Sequence, residues 1–385
     1  MIDAIAPDER TMATPTFAPV APADRLGTLD ILRALALFGV MAVNVVTEFR
    51  VSIFEQFLPA LKVTSPFDSA VEGFLDQFIS LRALALFSLL FGVGLAIQFD
   101  RLAAKRRAVL LVRRLMVLLA IGLIHLTLIW NGDILTHYAL AGLIVLPFLF
   151  GPRWLLGTTG LLCLGLYLTL YLNRLVPLPD ANWLAEHVAE ARRVYGSGNF
   201  SEILSFRIGE LRAIAPLHIW VFPRTLALFL LGAFIWRTGV LRRAAANREL
   251  LFGTALTAAV LTINARQPLA TVTQAIAYGA FIIGVASTPF GTQLLGWAAP
   301  LGRMAFTNYL AQSVIFGWVF YSYGLGLFGR LGATTALVSG VAVYVAQVMF
   351  SRWWLKRYSF GPVEWLWRTL MYGKLQPMKL PTAPA

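Results

Sequence analysis

His125 and Asp133 are the residues whose types and spacing most clearly suggest chemistry. His125 lies within an apolar run, and Asp133 follows the dipeptide Asn131-Gly132. Asn-Gly is typical of a tight turn, so the chain is predicted to double back and to bring Asp133 or His137 toward His125. An imidazole that a carboxylate orients can act as a general base. The alternative is a hydrogen-bonded contact between helices with no catalytic role.

Further ionisable side chains lie in apolar segments, namely Arg82, His137, His218 and Arg224. Such groups are costly inside a membrane and therefore mark candidate functional positions. The sequence predicts that they gather with His125 in a polar pocket open to the outside, where Arg82, His137 and Arg224 bind an acceptor. Each of them could instead bond to a neighbouring helix or reach the surface along its aliphatic stem.

Three amide side chains are also predicted to be embedded, namely Asn44, Asn308 and Gln312. Asn308 and Gln312 are four residues apart and share one helix face. They are interpreted either as substrate-binding residues or as hydrogen bonds that join helices.

A second set of charged residues is predicted at the cytoplasmic side. Asp30 and Arg33 are three residues apart and can form an ion pair. Arginine binds phosphate well, so a set of four arginines is predicted to hold the phosphates of acyl-CoA, the expected acyl donor. These residues are Arg33, Arg113, Arg114 and Arg303. The competing interpretation is topological, because Lys and Arg are enriched in cytoplasmic loops of membrane proteins.

The elements that must position these side chains are membrane helices. Hydrophobic residues make up 58% of the 385 residues and charged residues only 13%, against about 25% charged in soluble domains. Backbone groups in lipid must be satisfied within the segment, so the predicted class is all-α and polytopic. We predict ten spanning helices, at 29–48, 78–99, 109–130, 134–150, 154–173, 216–236, 250–265, 270–289, 304–324 and 333–354.

The distribution of basic residues predicts the orientation of these helices. With both termini in the cytoplasm, 21 of the 32 Lys and Arg residues fall on the inner side, as the positive-inside rule requires. The net charge of +13 is spread between apolar blocks rather than over one face. The predicted partner is therefore a lipid bilayer and not a nucleic acid.

The predicted domain organisation is a single transmembrane domain at 26–375. A disordered cytoplasmic tail is expected at 1–25 and a flexible tail at 376–385, since both are rich in Pro and small residues. An outer loop is expected at 174–215, with a short helix from Ala185 to Tyr195. An inner interfacial helix is expected near 362–372, where Glu364 and Arg368 can pair across one turn.

Several kinds of chemistry receive no support from the sequence. It has no GxxxxGK[ST], HExxH, GxSxG or CxxC motif, so ATP-driven and zinc-dependent mechanisms are not indicated. The single cysteine, Cys163, excludes an internal disulfide and is interpreted as a packing residue. No metal site is predicted.

The chain resembles the YeiB-like family of bacterial multi-pass membrane proteins, from about Arg25 to Lys374. The motifs that carry the resemblance are Leu29-Asp30-Ile-Leu-Arg33 with Asn44, Phe87-Ser-Leu-Leu-Phe-Gly92-Val-Gly94, the His125…Trp130-Asn-Gly-Asp133 hairpin, Gly302-Arg303-Met-Ala-Phe-Thr307-Asn308-Tyr309-Leu-Ala-Gln312, and Gly361-Pro-Val-Glu364-Trp365-Leu-Trp367-Arg368. The resemblance implies a location in the bacterial cytoplasmic (inner) membrane.

This family is distantly similar to the transmembrane acyltransferase superfamily, whose members move an acyl group from cytoplasmic acyl-CoA to a sugar acceptor. Those enzymes depend on a histidine near the first two helices, whereas the first histidine here is His125. The resemblance implies an acyltransferase for a small-molecule or glycan acceptor of the cell envelope. The alternative is a transporter whose outer polar cluster binds a solute or relays protons. The oligomeric state is left open.

Overall fold

The computed structural model describes residues 27–58, 65–173, 175 and 179–380. Three predicted segments extend beyond these residues. The tail at 1–25 and residues 381–385 lie wholly outside them, and the predicted outer loop lies partly outside them, at 174 and 176–178. Over the described residues the fold is all-α, as predicted. The α-helices are α1 Gly27–Asn44, α2 Pro66–Phe74, α3 Arg82–Arg101, α4 Arg107–Ile124, α5 Leu135–Val145, α6 Arg153–Leu172, α7 Ala181–Ser197, α8 Phe200–Thr238, α9 Arg248–Asn264, α10 Leu269–Ala286, α11 Pro289–Leu295, α12 Ala299–Arg303, α13 Ala305–Phe320, α14 Ala333–Leu355 and α15 Pro362–Tyr372.

The helices are those of a membrane protein. In the described part of the chain, seven helical segments are long and apolar enough to cross a bilayer, and Leu135–Phe150 is a shorter apolar one. The seven are Gly27–Phe49, Pro66–Arg101, Ala104–Ile129, Arg153–Leu172, Phe200–Thr238, Leu269–Ala286 and Ala333–Leu355. Large apolar side chains such as Leu162 and Ile263 point outward from this bundle. The count of ten crossings and the cytoplasmic placement of both termini stay predictions.

The 39-residue helix α8 is much longer than the spanning segment predicted at 216–236. It begins with a capping box, in which Asn199 and Glu202 satisfy each other's backbone N–H groups. Pro216 and Pro223 lie inside it without ending it. Most of the described part of the predicted outer loop is therefore helical, and the helix expected at 185–195 extends over all of α7.

Helices α3 and α8 approach each other closely. A Cβ atom added to Gly92 would collide with the Phe229 carbonyl, and one added to Gly232 would collide with the Leu89 carbonyl. Small residues at such a crossing let two backbones pack in contact, which is how membrane helices gain dispersion energy. This crossing holds the middle of α8, and with it Arg224, in the centre of the bundle.

Three helical segments end in a wide π-turn, at Val45–Phe49, Leu75–Ile79 and His125–Ile129. Such turns are uncommon and occur often at functional sites, because they re-aim the side chains that follow them. The first continues α1 and the third continues α4. His125 is the first residue of the third turn.

The predicted interfacial helix is α15, which packs on α4. The Trp367 indole N–H donates to the Arg114 carbonyl at 2.9 Å, and the Arg114 guanidinium lies 3.5 Å from the centre of the Trp367 ring. Residues 376–380, the described part of the predicted flexible tail, bond to this region. The Trp365 indole donates to the Gln376 carbonyl, and the Ser359 amide donates to the Met378 carbonyl.

Candidate functional site

The His125 side chain is bound to Asp133, as the turn between them predicts. Their Nδ1 and Oδ1 atoms are 2.8 Å apart, and both side chains are fully buried. The Asp133 carboxylate also accepts from the backbone amides of Leu135 and Thr136 at the start of α5. A carboxylate is favoured there, since helix N-termini carry partial positive charge. Asp133 is thus fixed by α5 and in turn fixes the imidazole.

This arrangement determines which imidazole nitrogen is available. An acceptor at Nδ1 places the proton on that nitrogen and leaves Nε2 with a lone pair. Nε2 is buried and has no hydrogen-bond partner. The Tyr309 ring of α13 lies 5.4 Å from the imidazole, centre to centre. The imidazole is therefore oriented by Asp133 and has a buried Nε2 that bonds to none of the described residues. An oriented nitrogen of this kind is what a general base requires.

Glu48 lies beside this pair, although the sequence reasoning did not select it. It belongs to the π-turn that ends α1, and a Cβ added to Gly132 would clash with its carboxylate and with the Trp130 ring. Trp130 in turn stacks on Phe49 at 4.4 Å. The Asn131-Gly132 turn therefore does more than reverse the chain, because Gly132 leaves room for a second carboxylate.

The three predicted amides have different surroundings. Asn44 and Gln312 line one crevice with Tyr309, and this crevice is too narrow to hold a water molecule. Gln312 Nε2 also donates to the side chain of Gln347 in α14 at 2.8 Å. Asn308 donates to the Ser351 hydroxyl at 3.0 Å, so it joins α13 to α14. Asn44 and Gln312 are thus connected to His125 by Tyr309, which shares their crevice and whose ring contacts the imidazole.

His137 and Arg224 belong to a second cluster, on α5 and α8. His137 Nε2 is 2.9 Å from the Thr225 hydroxyl, and its ring lies 5.6 Å from that of His218. Asp133 is within electrostatic reach of His218, so the cluster adjoins the His125–Asp133 pair. His137, the other partner that the turn predicts for His125, contacts Thr225 of α8 with its Nε2.

Arg82 is held by other groups. Its guanidinium is buried and donates to the Gln274 side chain at 3.0 Å and to the carbonyls of Asp76 and Ser80. These contacts join α3 to α10 and to the π-turn before α3. The role of Arg82 in acceptor binding stays a prediction.

The predicted cofactor-binding arginines lie around the α4–α15 contact. Arg33 pairs with Asp30 at 2.6 Å, as predicted, and lies within electrostatic reach of Arg114. The Arg113 guanidinium lies against Gly373, where α15 ends. Arg303 ends α12, whose Gly302 touches the Asp30 carbonyl. This end of the molecule is therefore basic, and α15 covers part of it.

A buried carboxylate at Glu210 was also missed by the sequence reasoning. It accepts from the Asn131 amide at 2.5 Å, His187 Nε2 at 2.8 Å and the Tyr195 hydroxyl at 2.9 Å. Burial beside this carboxylate raises the pKa of Tyr195 well above its ordinary value. Glu210 thus joins α7 and α8 to the turn that carries Asp133. The only signal of its burial in the sequence is that some of its neighbours are apolar.

The described residues contain no group of three or more His, Cys, Asp or Glu side chains that could hold a metal ion. The candidate site among these residues consists of hydrogen-bonded side chains.

The fold and this site define the protein as a multi-pass helical membrane protein with a buried histidine–carboxylate pair. It belongs to the YeiB-like family. Residues 218–374 match the family model described as "Protein of unknown function (DUF418)". The chain is 33% identical to "Uncharacterized protein YxaH" of Bacillus subtilis (strain 168), over 94% of this chain and 98% of that protein.

Two further relatives are similar over nearly their whole length. "Uncharacterized protein YeiB" of Escherichia coli (strain K12) is 31% identical, over 90% of this chain and 96% of that protein. "Uncharacterized 39.9 kDa protein in amylase 3'region" of Bacillus acidopullulyticus is 30% identical, over 94% and 98%. No solved structure matches the chain.

Proposed function

We propose that this protein is an acyltransferase of the bacterial cytoplasmic membrane, which moves an acyl group from acyl-CoA to a sugar or glycan acceptor of the cell envelope. One observation carries the proposal: His125 is bound to Asp133 through Nδ1 and keeps a buried, unpartnered Nε2. A buried histidine with one nitrogen oriented and the other unoccupied is suited to take a proton from a hydroxyl or amine.

The proposed acyl transfer needs only the acceptor hydroxyl, the thioester and His125. The acceptor hydroxyl gives its proton to His125 Nε2 while its oxygen forms a bond to the thioester carbonyl carbon. The carbon–sulfur bond then breaks, and the departing thiolate takes the proton back from the imidazolium. Asp133 stabilises the imidazolium meanwhile, since its carboxylate faces Nδ1–H. A positioned base of this kind contributes about 10²–10⁴-fold to rate.

The acyl donor would bind at the basic end of the molecule. Arg114 and His125 both belong to the helical segment Ala104–Ile129, and their separation of eleven residues corresponds to about 16 Å along the helix axis. A donor whose phosphates contact Arg33, Arg113, Arg114 or Arg303 would have to extend its thioester arm over this distance to reach Nε2. The crevice lined by Asn44, Gln312 and Tyr309 would have to widen for these amides to contact the acyl group or the acceptor, since it is too narrow for a water molecule in this structure.

The test is acyl transfer by purified protein in proteoliposomes that contain envelope glycans, with radiolabelled acetyl-CoA as the donor. We expect His125→Ala and Asp133→Asn each to lower the rate at least tenfold, because one removes the base and the other weakens its orientation. Thr127→Ala is the matched control, since Thr127 lies in the same π-turn and bonds only to the Leu123 carbonyl. A His125→Ala rate within threefold of wild type would sink the assignment.

A thermal-stability measurement separates the enzyme from the transporter alternative. Acetyl-CoA should raise the melting temperature of the detergent-purified enzyme, and this increase should survive His125→Ala, because the phosphates bind elsewhere. An unchanged melting temperature, together with solute uptake into empty proteoliposomes, would favour the transporter.

A further inference from the structure

Arg224 is a buried cation without a counter-ion in the described part of the chain. Its side chain is 2% exposed, and its Nε and Nη1 atoms have no hydrogen-bond partner. Arg224 takes part in none of the ion pairs of the described residues. The Tyr167 side chain contacts it: the guanidinium hydrogen-bonds to the tyrosine hydroxyl, and the ring centre lies 5.7 Å from the guanidinium carbon. A neutral tyrosine compensates a buried charge only in part.

Two other arginines of α8, the buried Arg207 and the half-buried Arg237, differ from Arg224. Arg207 donates to the Leu128 carbonyl at 3.1 Å and lies near the Tyr321 ring, although its Nε and Nη2 atoms also have no hydrogen-bond partner among the described residues. Arg237 donates to the carbonyls of Gly151 and Leu149. A buried charge that is left uncompensated is strongly destabilising. Arg224 is set apart from Arg207 by a second unpartnered donor beside it.

A second unpartnered donor lies one helical turn away. The Trp220 indole N–H is buried and has no hydrogen-bond partner among the described residues. Trp220 and Arg224 are four residues apart on α8 and thus share a face, and both contact Tyr167 of α6. Two neighbouring N–H donors, one of them charged, can both donate to the oxygens of one oxyanion.

We propose that Arg224 and the Trp220 indole form a binding site for an oxyanion, a phosphate or carboxylate group that enters the bundle between α6 and α8. His137 and His218 lie on the opposite side of α8, toward the His125–Asp133 pair. If the proposed function holds, the oxyanion belongs to the acceptor, which would then be an acidic or phosphate-bearing sugar. Oxyanion binding itself does not depend on that function.

The test measures the melting temperature of detergent-purified protein with increasing inorganic phosphate, at ionic strength held constant with chloride. A second titration uses mixed micelles of phosphatidylglycerol, with phosphatidylcholine as the neutral comparison. We expect a saturable increase, with phosphate alone if the ligand is soluble and with phosphatidylglycerol alone if it is a lipid headgroup. Arg224→Gln should weaken the apparent affinity at least tenfold.

Arg237→Gln is the matched control, because Arg237 lies on the same helix and also contacts an aromatic ring, Phe99. It should lower the melting temperature but leave the response to the anion unchanged. Trp220→Phe keeps the ring and removes the N–H, so it should weaken the affinity severalfold even if Arg224→Gln does not fold.

Two results would overturn the site: no response to either anion in the wild-type protein, or an equal response in Trp220→Phe and wild type. His125→Ala should keep the full response, so a failure of acyl transfer and a failure of anion binding are distinguished by separate measurements.

Discussion

Buried carboxylates in this protein are matched by several hydrogen-bond donors each. Asp133 accepts from His125 and two backbone amides, and Glu210 accepts from three side chains. The half-buried Glu364 accepts from the backbone amides of Phe306 and Thr307 and from the Thr307 hydroxyl, so it caps α13 from another helix. Such donors offset the cost of removing a carboxylate from water. Asp133 and Glu210 should therefore be sensitive to loss of charge.

Glu364 should make stability depend on pH. It lies in α15, outside the predicted spans, and burial raises the pKa of its carboxyl above the ordinary 4.5, although the hydrogen bonds to Thr307 and Phe306 oppose this. The folded state then holds the proton more tightly than the unfolded state, so stability falls as pH rises from about 4.5 through the folded pKa. Glu364→Gln mimics the protonated form and should become progressively more stable than wild type over that interval.

The measurement is the melting temperature of both proteins in detergent between pH 3 and pH 8. Glu190→Gln is the control of opposite sign, because Arg193 lowers the pKa of the exposed Glu190, so wild type gains over this variant as pH rises toward the ordinary 4.5, and the difference is constant at higher pH. A difference between wild type and Glu364→Gln that stays constant over the whole interval would contradict the prediction.

At the scale of elements, the site depends on how a few helices end and cross. The π-turns that continue α1 and α4 carry Glu48 and His125, and the α3–α8 crossing positions Arg224. Glycine is required at this crossing because a Cβ atom would collide with the facing backbone. The glycine backbone itself has an ordinary helical conformation. Two glycines of α3 allow a direct comparison, since Gly92 touches α8 whereas a Cβ on Gly94 would meet nothing within 4 Å.

Gly92→Ala should therefore destabilise the protein by about 1–3 kcal/mol, the usual cost of overpacking. Gly94→Ala should be neutral or slightly stabilising, because alanine is the better helix former. Both variants can be compared with wild type by thermal unfolding in one detergent. Equal effects of the two substitutions would show that α3 and α8 are not in backbone contact.

Helix positions could be predicted from the sequence better than helix lengths. Each predicted span coincides with a helical segment, since an apolar run of this length has few other structures open to it. The first part of α8 was missed because it is polar on one face and precedes Pro216, which reads as a boundary. Glu210 was missed with it, because its partners Asn131 and His187 come from distant parts of the sequence.

For the site, local pairs could be predicted and distant ones could not. Asp133 is eight residues from His125 across one turn, and Asp30 is three residues from Arg33, so both pairs follow from spacing. The contact between His137 and Thr225 spans 88 residues and depends on how α5 packs against α8. Spacing contains no information about such packing. It therefore indicated His125 and Asp133, but not Glu48 or Glu210 and not the division of the polar residues into two clusters.

At the scale of the whole molecule, two opposite ends have different chemistry. The end that carries the Asn131-Gly132 turn holds Glu210, α7 and the start of α8, and the other end holds the basic residues around α15. The proposed reaction requires these ends to face opposite sides of the membrane, because acyl-CoA is cytoplasmic and the acceptor belongs to the envelope. The predicted topology meets this requirement: five crossings separate α7 from the C-terminal segment.

That topology can be tested by cysteine labelling in a Cys163→Ser background, since Cys163 is the only native cysteine. Three exposed positions report the two sides, namely Ser197 at the end of α7, Lys105 before α4 and Lys374 after α15. Ser197→Cys should react with a membrane-impermeant maleimide in intact spheroplasts, whereas Lys105→Cys and Lys374→Cys should react only after permeabilisation. Labelling of Ser197→Cys and Lys374→Cys from the same side would require an even number of crossings between them. In that arrangement the basic end and the His125 end could not draw on separate compartments, and transfer across the membrane would be excluded.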